Sequence, residues 1–495
     1  MKIPREAQFI VSELERRGFE AYVVGGCVRD LLLEREPEDW DVTTNAKPEE
    51  IQQVFPHNFY ENRFFTVTVL TGSENPKLKE IEVTTYRAEF RYTDRRRPEE
   101  VRYAKTIQED LSRRDFTVNA MALKLKSQAS NSKPQRKSKS VLIDPFGGQE
   151  DLKGKVIRAV GDPQERFSED ALRMMRAARI ATALEFQIEQ KTKQAIQENA
   201  SLLKEISRER IRDEFIKIIM SKNASAGIAV LRELGLLRFI LPELEEGYGV
   251  AQNKHHIYTV WEHNLRTLQY AADKSWNLEI RLASLLHDVA KPRVKQGDGP
   301  DSTFYNHEIV GANMAGNILA SLKFPKKEIE KISKLIRYHM FYYNVDEVTE
   351  SSVRRLIRKM GLGDMKDLLC VRMADRIGSG VPKAEPYKLR HWQYLIEKVS
   401  QDPLSPKMLK ANGKDIMEIL QITPGPKVGW ILEILLGEVL DDPKRNEQDF
   451  LVARIKELGI MGDERLRELA KGSKQEVEKL ETQRDEITKQ KYWVR

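Results

Sequence analysis

Residues 21–46, AYVVGGCVRDLLLEREPEDWDVTTNA, decide the fold of the N-terminal part of this chain. The apolar run before Gly25 predicts a strand, and Asp39 and Asp41 follow on an extended segment. Side chains at positions i and i+2 of a strand point to the same side, so the two carboxylates can hold divalent cations together. The glycine pair at 25–26 lets backbone N–H groups approach the phosphates of a nucleotide, and such oxygen ligands suit Mg²⁺. The alternative is an acidic turn after a strand.

The composition indicates a soluble protein with several domains. A chain of 495 residues is too long for one core, so about three or four domains are expected. Hydrophobic residues make up 40% and charged residues 32%, which excludes a disordered chain. No apolar run reaches the roughly 20 residues of a bilayer span. Cys27 and Cys370 provide no disulfide framework, so a reducing cytoplasm is expected. The net charge of +7 agrees with a polyanionic partner.

The periodicity of the chain changes near residue 148. Before it, strand-like and helical runs alternate, FTVTVLTG and KEIEVTTYR are expected to pair, and the Lys- and Ser-rich run 126–140 is expected to be a mobile insert. After it the pattern is helical, and one helix is expected to start with Ser168 as its N-cap. The sequence therefore predicts an α/β domain followed by all-α domains, with the boundaries 1–147, 148–250, 251–400 and 401–495.

The stretch RRDFTVNAMAL (113–123) adds cations and an amide to the first site. Arg114 could neutralise phosphate charge, and Asn119 could bond a ribose or phosphate oxygen. Arg113 or Asp115 could instead form a silent surface ion pair. Glu82 could supply a third carboxylate near the metals, although a structural role is favoured for it.

Seven motifs occur in a defined order: GGCVRD, DWDVTT, VTTYRAEFRYTDRRRP, DLSRRDFTVNAMA, IDPFGG, EDALRMMRAARI and RERIRDEF. On these motifs the chain resembles the class II tRNA nucleotidyltransferases, the CCA-adding enzymes of the bacterial poly(A) polymerase and tRNA nucleotidyltransferase family. The resemblance implies a polymerase-β-like nucleotidyltransferase head with a mixed sheet, followed by helical neck, body and tail domains. It also implies that C, C and A are added to the 3′ end of tRNA from CTP and ATP without a template, releasing pyrophosphate.

The resemblance also implies site residues. Asp39 and Asp41 match the ligands of Mg²⁺. The positions that match nucleotide-binding residues are Gly26, Arg29, Arg114, Asp170, Arg173, Arg176 and Arg179. Phe65 and Asn62 depart from the family pattern, which usually has glycines here, and the larger side chain is expected to alter the local strand path.

A physical argument supports base recognition by Asp170 and Arg173. Cytosine and adenine both present an exocyclic amino donor beside a ring-nitrogen acceptor. Asp170 could accept from the amine while Arg173, one helical turn away, donates to the ring nitrogen. Uracil and guanine present the opposite order and would leave buried groups unpaired. The alternative is an ion pair on the helix surface.

The segment YRAEFRYTDRRRP (86–98) bears on the extent of addition. It resembles the flexible loop of enzymes that complete the terminal A, which CC-adding relatives typically lack. Arg87, Glu89 and Asp94 are candidates for its movable contacts, and the basic run Arg95–Arg97 lies in the same segment. A solvated loop is the alternative.

A second constellation lies in the helical part of the chain. Its histidines and aspartates follow the order H…HD…D and resemble the HD superfamily of metal-dependent phosphohydrolases; the matching residues are His263, His287, Asp288, His307, His339 and Asp375. The pair His255–His256 offers alternatives. Imidazole and carboxylate ligands suit Mn²⁺, Fe²⁺, Ni²⁺ or Zn²⁺. The resemblance implies a possible hydrolytic activity on 2′,3′-cyclic phosphate or 3′-phosphate ends, whereas a lone histidine on such a helix is more often a core residue.

The expected partners are tRNA, CTP and ATP, with no membrane association, and the C-terminal segment 401–495 is expected to be a tRNA-binding tail. The sequence leaves the oligomeric state open. Two other enzymes remain as alternatives, a bacterial poly(A) polymerase and a CC-adding partial enzyme. A nonenzymatic RNA-binding or chaperone protein with the same fold is a third alternative, which the intact Asp39, Asp41 and Arg173 disfavour.

Overall fold

The computed structural model describes residues 3–61, 65–92, 98–125, 140–253, 257–341, 343–345, 347–400 and 406–494. Several residues singled out in the sequence lie outside these ranges: Asn62, Asp94, Arg95–Arg97, nearly all of the insert 126–140, and the pair His255–His256.

The strands lie in the N-terminal part of the chain: β1 (Ala21–Val24), β2 (Asp41–Thr44), β3 (Asn58–Glu61), β4 (Thr66–Leu70), β5 (Glu80–Thr85), β6 (Arg87–Tyr92), β7 (Pro98–Tyr103), β8 (Ala122–Lys124), β9 (Val141–Ile143), β10 (Val156–Ile157) and β11 (Gln187–Ile188).

The first twelve α-helices are α1 (Arg5–Arg16), α2 (Gly26–Leu32), α3 (Pro48–Val54), α4 (Ile107–Ser112), α5 (Gly148–Gly154), α6 (Pro163–Glu169), α7 (Leu172–Leu184), α8 (Gln190–Asn199), α9 (Arg208–Ile219), α10 (Ala224–Glu233), α11 (Leu237–Ile240) and α12 (Pro242–Glu245). The others are α13 (Val260–Asp273), α14 (Leu278–Leu286), α15 (Lys291–Val294), α16 (His307–Ser321), α17 (Lys326–Tyr338), α18 (Glu350–Met360), α19 (Met365–Gly378), α20 (Tyr387–Ser400), α21 (Gly413–Leu420), α22 (Pro426–Asp441), α23 (Gln448–Gly459) and α24 (Asp463–Tyr492).

Seven strands form one mixed sheet in the order β3-β4-β5-β2-β1-β8-β9. β2 and β5 are parallel, and the other neighbours are antiparallel. All four residues of β1 are buried, as expected of a central strand, whereas β5 alternates between buried and less buried positions. The predicted pairing of FTVTVLTG with KEIEVTTYR is confirmed as the antiparallel pair β4–β5. β6 and β7 form a separate antiparallel hairpin.

The chain after residue 148 is helical apart from the short parallel pair β10–β11, so the predicted fold class, α/β followed by all-α, is confirmed. One predicted helix start is wrong. Ser168 lies inside α6, and the chain leaves the helix before α7 begins at Leu172. The Oδ1 atom of Asp170 accepts the N–H of Leu172 at 3.1 Å, so Asp170 takes the capping role expected of Ser168.

Two compact units make up the chain. The first consists of residues 1–339 and 367–382, and the second of residues 340–366 and 383–495. In the second unit α22 contributes more residues than any other helix to a core that includes Ile431, Leu435, Leu451, Ile455 and Leu466. Among the described residues, no helix combines the length and the apolar character that crossing a bilayer requires.

Candidate functional site

Asp41 is the first residue of β2, Asp39 lies two residues before the strand, and the sheet adds a third carboxylate next to Asp41. Asp41 pairs with Val24 of β1 on one side and with Glu82 of β5 on the other. Residues directly opposite each other in a sheet share a face, so Glu82 lies on the same face as Asp41. Burial and the neighbouring charges of Asp39 and Glu82 raise the pKa of Asp41 to about 7, with Arg114 opposing the shift. This concentration of carboxylate oxygens fits a hard divalent cation such as Mg²⁺.

Gly25 marks the point where an arginine approaches this carboxylate cluster. Its φ is +82°, which favours glycine, and a Cβ atom built on it would lie 2.8 Å from Arg114 Nη1 and 3.4 Å from Asp41 Oδ2. A Cβ on Gly26 would meet nothing closer than Arg29 Nη2 at 3.6 Å. The strict glycine requirement therefore falls on Gly25, whose missing side chain leaves room for the Arg114 guanidinium beside Asp41.

The guanidinium group of Arg29 is held in place by hydrogen bonds to Asp30 and Asn119. Its Nε and Nη2 atoms donate to the two carboxylate oxygens of Asp30 at 2.8 and 2.9 Å, and its Nη1 donates to Asn119 Oδ1 at 2.8 Å. Asn119 in turn donates from Nδ2 to Asp115 Oδ1 at 3.3 Å. Asn119, expected to bond a nucleotide oxygen, thus uses its amide to orient Arg29.

Asp115 is buried, so the expected surface ion pair at this residue is wrong. Its partner is Arg176 of α7, whose Nε and Nη2 atoms lie 2.8 and 2.7 Å from Asp115 Oδ2. Burial alone would raise the pKa of Asp115, but Arg176 and Asn119 lower it to about 2. This pair joins the segment 113–119 to α7.

Asp170 and Arg173 lie at the junction of α6 and α7, and each has its own partners. Asp170 Oδ2 lies 2.7 Å from Arg210 Nη2 of α9. Arg173 is nearly buried and contacts Glu169 Oε2 at 2.5 Å through Nη1. Arg210 and Glu169 therefore orient these two side chains, and the ion pairs that Asp170 and Arg173 make are with these residues and not with each other.

The junction of α6 and α7 is joined to the carboxylate cluster through the dipeptide Arg113–Arg114. Arg173 Nη2 donates to the backbone carbonyl of Arg113 at 3.3 Å, and the next residue, Arg114, lies against Gly25. Arg179 of α7, which was also predicted to bind the nucleotide, instead contacts Glu214 of α9 at 2.7 Å. The structure thus brings Arg173 and Arg176 into contact with the RRD segment, whereas Asp170 and Arg179 pair with residues of α9.

Three residues of this region were missed by sequence reasoning: Asp110, Glu169 and Arg210. Spacing could have found two of them, because Asp110 precedes Arg113 and Arg114 by three and four positions and Glu169 precedes Arg173 by four. Arg210 lies in the motif RERIRDEF, 40 residues from Asp170, and no local spacing connects the two.

The six residues of the second constellation all come together, in the first unit, and all are buried. His263 Nε2 and His287 Nε2 lie 3.2 and 3.3 Å from Asp288 Oδ2, and His263 Nε2 lies 3.3 Å from Asp375 Oδ1. On the other side, His307 Nε2 and His339 Nε2 lie 3.4 and 3.9 Å from Asp288 Oδ1. Asp288 therefore connects two groups of potential ligands, His263–His287–Asp288 and Asp288–His307–His339.

The outer nitrogens of three of these histidines are tied to backbone carbonyls. His287, His307 and His339 place Nδ1 at 2.9, 2.8 and 2.7 Å from the carbonyl oxygens three residues earlier. A donated Nδ1–H leaves Nε2 as the lone-pair nitrogen that a metal binds, and such contacts are typical of metal-ligating histidines. The donor set fits a divalent transition metal.

The charges of this centre favour a cation in its middle. Burial opposes a charged imidazole at His287, yet Asp288 and Asp375 raise the pKa of His287 to about 10. Burial and the neighbouring His287 lower the pKa of His339 to about 3. One positive charge among two carboxylates is thus strongly favoured, and a metal ion would supply it without a proton.

Lys291 and Gln252 belong to this centre as well, although neither was singled out in the sequence. Lys291 Nζ lies 2.6 Å from Asp288 Oδ2 and donates to Gln252 Oε1 at 2.6 Å. Gln252 Nε2 donates to the backbone carbonyl of Tyr258 at 3.2 Å. The HDVAK spacing, which places Lys291 three residues after Asp288, was the available signal.

Comparisons with known proteins agree with this architecture. Three family models match successive segments: "Poly A polymerase head domain" over residues 21–158, "Probable RNA and SrmB- binding site of polymerase A" over 185–247, and "HD domain" over 260–377.

Relatives match nearly the whole chain. A CCA-adding enzyme of Enterococcus faecalis is 31% identical over 93% of this chain and 97% of its own length. An A-adding tRNA nucleotidyltransferase of Deinococcus radiodurans is 36% identical over 67% of this chain and 76% of its own length. The solved structure of a Bacillus stearothermophilus CCA-adding enzyme in complex with CTP is 29% identical, covers 92% of this chain and 98% of its own, and superposes with a TM-score of 0.58. The chain belongs to the tRNA nucleotidyltransferase family that contains the CCA-adding enzymes.

Proposed function

We propose that this protein adds C, C and A to the 3′ end of tRNA, using CTP and ATP without a nucleic-acid template and releasing pyrophosphate. One observation carries this proposal. The dipeptide Arg113–Arg114 contacts both halves of a nucleotide site: Arg114 lies against Gly25 and Asp41, and the Arg113 carbonyl accepts a hydrogen bond from Arg173. A nucleoside triphosphate held across this dipeptide would have its phosphates at the carboxylates and its base at the junction of α6 and α7.

Each half of the site has a separate task. Asp39 and Asp41, with Glu82 as a third carboxylate, would hold Mg²⁺, which when bound supplies the positive charge that stabilises the reacting phosphate oxygens. Arg114 neutralises phosphate charge, and Arg29, fixed by Asp30 and Asn119, presents a further cation. The tRNA 3′-hydroxyl attacks the α-phosphate in line, so positioning and charge neutralisation carry the reaction and no covalent protein intermediate is needed.

Base choice follows from the hydrogen-bonding capacities of Asp170 and Arg173. The carboxylate can accept from the exocyclic amine of cytosine or adenine, and the guanidinium can donate to the adjacent ring nitrogen. Uracil and guanine reverse this order and would leave buried polar groups unpaired, which costs about 1–3 kcal/mol for each group. Arg210 and Glu169 support the proposal, since they hold the two side chains in place before a base arrives.

The test is end-sequencing of a tRNA that lacks its terminal CCA after incubation with CTP and ATP, separately and together. We expect CC with CTP alone and CCA with both nucleotides, followed by a stop. Addition of A alone to a tRNA that already ends in CC would make it an A-adding enzyme, as the Deinococcus relative is named; a stop after CC would make it a CC-adding enzyme. A run of A residues would favour a poly(A) polymerase.

The Asp39→Ala variant should lose incorporation of both nucleotides while keeping tRNA binding, and normal turnover in that variant would remove the metal assignment.

A second activity is favoured by the histidine centre. We propose that it binds one or two divalent transition metals among Mn²⁺, Fe²⁺, Ni²⁺ and Zn²⁺ and hydrolyses phosphoesters, with 2′,3′-cyclic phosphate and 3′-phosphate RNA ends as candidate substrates. The supporting observation is that four histidines place their Nε2 atoms around Asp288. In three of these histidines the other ring nitrogen, Nδ1, lies at hydrogen-bonding distance from a backbone carbonyl. Metal analysis of His287→Ala against the wild type tests it: equal metal content in the two proteins would rule out the site.

We propose a cytoplasmic location, which the free, buried thiols of Cys27 and Cys370 support. The functional division into a head (1–147), a neck that reads the base (148–250), an HD domain (251–400) and a tRNA-binding tail (401–495) is part of the same proposal.

A further inference from the structure

Asp110, on the short helix α4, is a fully buried carboxylate that takes part in neither proposed reaction directly. Arg113 donates to its Oδ1 atom from Nε and Nη2 at 3.0 and 2.9 Å. Arg114 Nη2 lies 3.7 Å from Oδ2. One carboxylate therefore contacts both members of the dipeptide that joins the two halves of the nucleotide site.

The same carboxylate also reaches the catalytic strand and the β6–β7 hairpin. Thr43 of β2, two residues after Asp41, places its hydroxyl between the Thr84 carbonyl at 3.1 Å and Asp110 Oδ2 at 3.4 Å. The backbone N–H of Arg87, the first residue of β6, donates to Oδ1 at 3.4 Å. Asp110 thus fixes the dipeptide relative to both β2 and the base of the hairpin.

We propose that Asp110 is a positioning residue for nucleotidyl transfer, which orients Arg114 toward the triphosphate and the Arg113 carbonyl toward Arg173. The inference rests on the proposed nucleotidyltransferase function. The charge of the carboxylate is essential to this role, because it balances two guanidinium groups that would otherwise repel each other within a few ångströms. Without that charge, Arg114 would turn toward the remaining carboxylates at Asp39 and Asp41.

The ionisation state of Asp110 agrees with this role. Burial on its own would raise the pKa of Asp110, but Arg113 and Arg114 hold it below its usual value. The group is therefore charged throughout the pH range in which the enzyme would work.

Asp110→Asn tests the proposal, since it keeps the size of the side chain and removes only its charge. We expect the affinity for CTP and for ATP, measured by calorimetry in EDTA, to fall about tenfold, because small misplacements of binding groups cost that much or more. We also expect the ratio of kcat/KM for CTP to that for UTP to fall roughly tenfold, because Arg173 loses its fixed partner at Arg113.

Asp151→Asn is the matched control. Asp151 is also buried, accepts from Arg158 through Nε and Nη2, and accepts a threonine hydroxyl, that of Thr117 at 2.6 Å. It contacts none of the proposed nucleotide-binding residues among the described contacts. Asp151→Asn should lower the thermal stability to a similar extent but leave both CTP affinity and the CTP-to-UTP ratio unchanged.

Thr43→Val provides a second measurement if Asp110→Asn does not fold. This isosteric change removes the hydroxyl that lies between Asp110 and the Thr84 carbonyl, and it should change nucleotide affinity in the same direction by roughly two- to threefold. Unchanged nucleotide affinity and base selectivity in Asp110→Asn, or in Thr43→Val where the first variant does not fold, would overturn the proposal, as would equal effects in Asp151→Asn. A wild-type protein that extends no tRNA would instead refute the proposed function itself.

Discussion

Asp41 and Glu82 lie directly opposite each other on the neighbouring parallel strands β2 and β5. This register places a like charge beside a carboxylate that is already disfavoured by burial, and together with Asp39 it raises the pKa of Asp41 to about 7. In the unfolded chain the same group titrates near 3.8. Folding therefore favours the protonated carboxyl, and the contribution of Asp41 to stability is lost as the pH rises toward and through 7.

Asp41→Asn should for this reason stabilise the fold while abolishing nucleotide incorporation. Above pH 7 the ionised carboxylate is unfavourable in the folded protein, so its neutral replacement should raise the free energy of unfolding by about 1–2 kcal/mol. The gain should shrink as the pH falls below 7, because the wild-type carboxyl then binds a proton. Thermal denaturation in EDTA at pH 8 and pH 5 measures both effects. Glu80→Gln, an exposed change on the neighbouring strand β5, should neither stabilise the fold nor abolish nucleotide incorporation. An Asp41→Asn variant less stable than wild type at pH 8 would contradict this account.

Gly378 allows two ligand-bearing helices of the histidine centre to approach each other. Gly378 is the last residue of α19. A Cβ atom built on it would lie 2.1 Å from Thr267 Oγ1 and 3.0 Å from the carbonyl oxygen of His263, both on α13. Gly378→Ala should therefore push Asp375 away from His263 and lower the metal content of the purified protein, together with its melting temperature. Thr267→Ala added to this variant should restore part of both.

Gly472→Ala is the control for that experiment. Gly472 is also a helical glycine, but a Cβ there would meet no atom within 4 Å. Alanine should raise stability by about 0.5–1 kcal/mol through its helix propensity and leave the metal content unchanged. If Gly378→Ala retains full metal content, close packing of the two helices is not what holds the centre together.

Arg281 is a buried cation that is satisfied by backbone carbonyls. It donates to Trp276 at 2.9 Å, to Ile219 and Ser221 at 2.9 Å each, and to Ala272 at 3.4 Å. These carbonyls end α9 and α13, where helices have unpaired acceptors. Arg281→Met should leave them without donors and lower the free energy of unfolding by about 3 kcal/mol or more, as measured in urea.

Arg293→Met is the comparison for Arg281. Arg293 makes an exposed ion pair with Glu246 at 2.6 Å, and such pairs contribute about 0–1 kcal/mol. A loss of stability in Arg281→Met no larger than in Arg293→Met would show that the carbonyl contacts do not support the junction of these helices.

The parts of the fold that the sequence predicts are those governed by local pattern. The strand at 21–24 and the pair β4–β5 follow from apolar runs and alternation, and the helical periodicity after residue 148 is unambiguous. The helix start at Ser168 was wrong because a serine followed by acidic residues resembles an N-cap in any context, whereas Asp170 supplies the cap from two residues further on.

The site shows the same limit. Ordered motifs predict which residue types gather, and the six residues of the histidine centre do converge. Motifs do not predict which of two arginines on a helix points to a nucleotide and which pairs with an acid far away in the chain. The pairing of Arg176 with Asp115 and of Arg179 with Glu214 depends on tertiary packing over 61 and 35 residues, so no local pattern records it.

Phe65, where the resemblance leads us to expect a glycine, has a backbone conformation that favours glycine. Its φ is +52°, in the left-handed region that costs a residue with a Cβ roughly 1–2 kcal/mol. Its ring offsets part of this cost by packing on Tyr103, with the ring centroids 4.9 Å apart. The departure from the family pattern therefore exchanges backbone strain for an aromatic contact.

The order of stability among variants of Phe65 tests this exchange. Phe65→Ala loses the contact with Tyr103 and keeps the strain, whereas Phe65→Gly loses the contact and relieves the strain. Glycine should therefore be more stable than alanine at this position by about 1 kcal/mol, the reverse of the usual order in strands. Phe59 on β3, which has no positive φ, should show the usual order, with alanine above glycine. Chemical denaturation of the four variants measures both differences, and an alanine variant at 65 as stable as the glycine variant would mean that the backbone there is not strained.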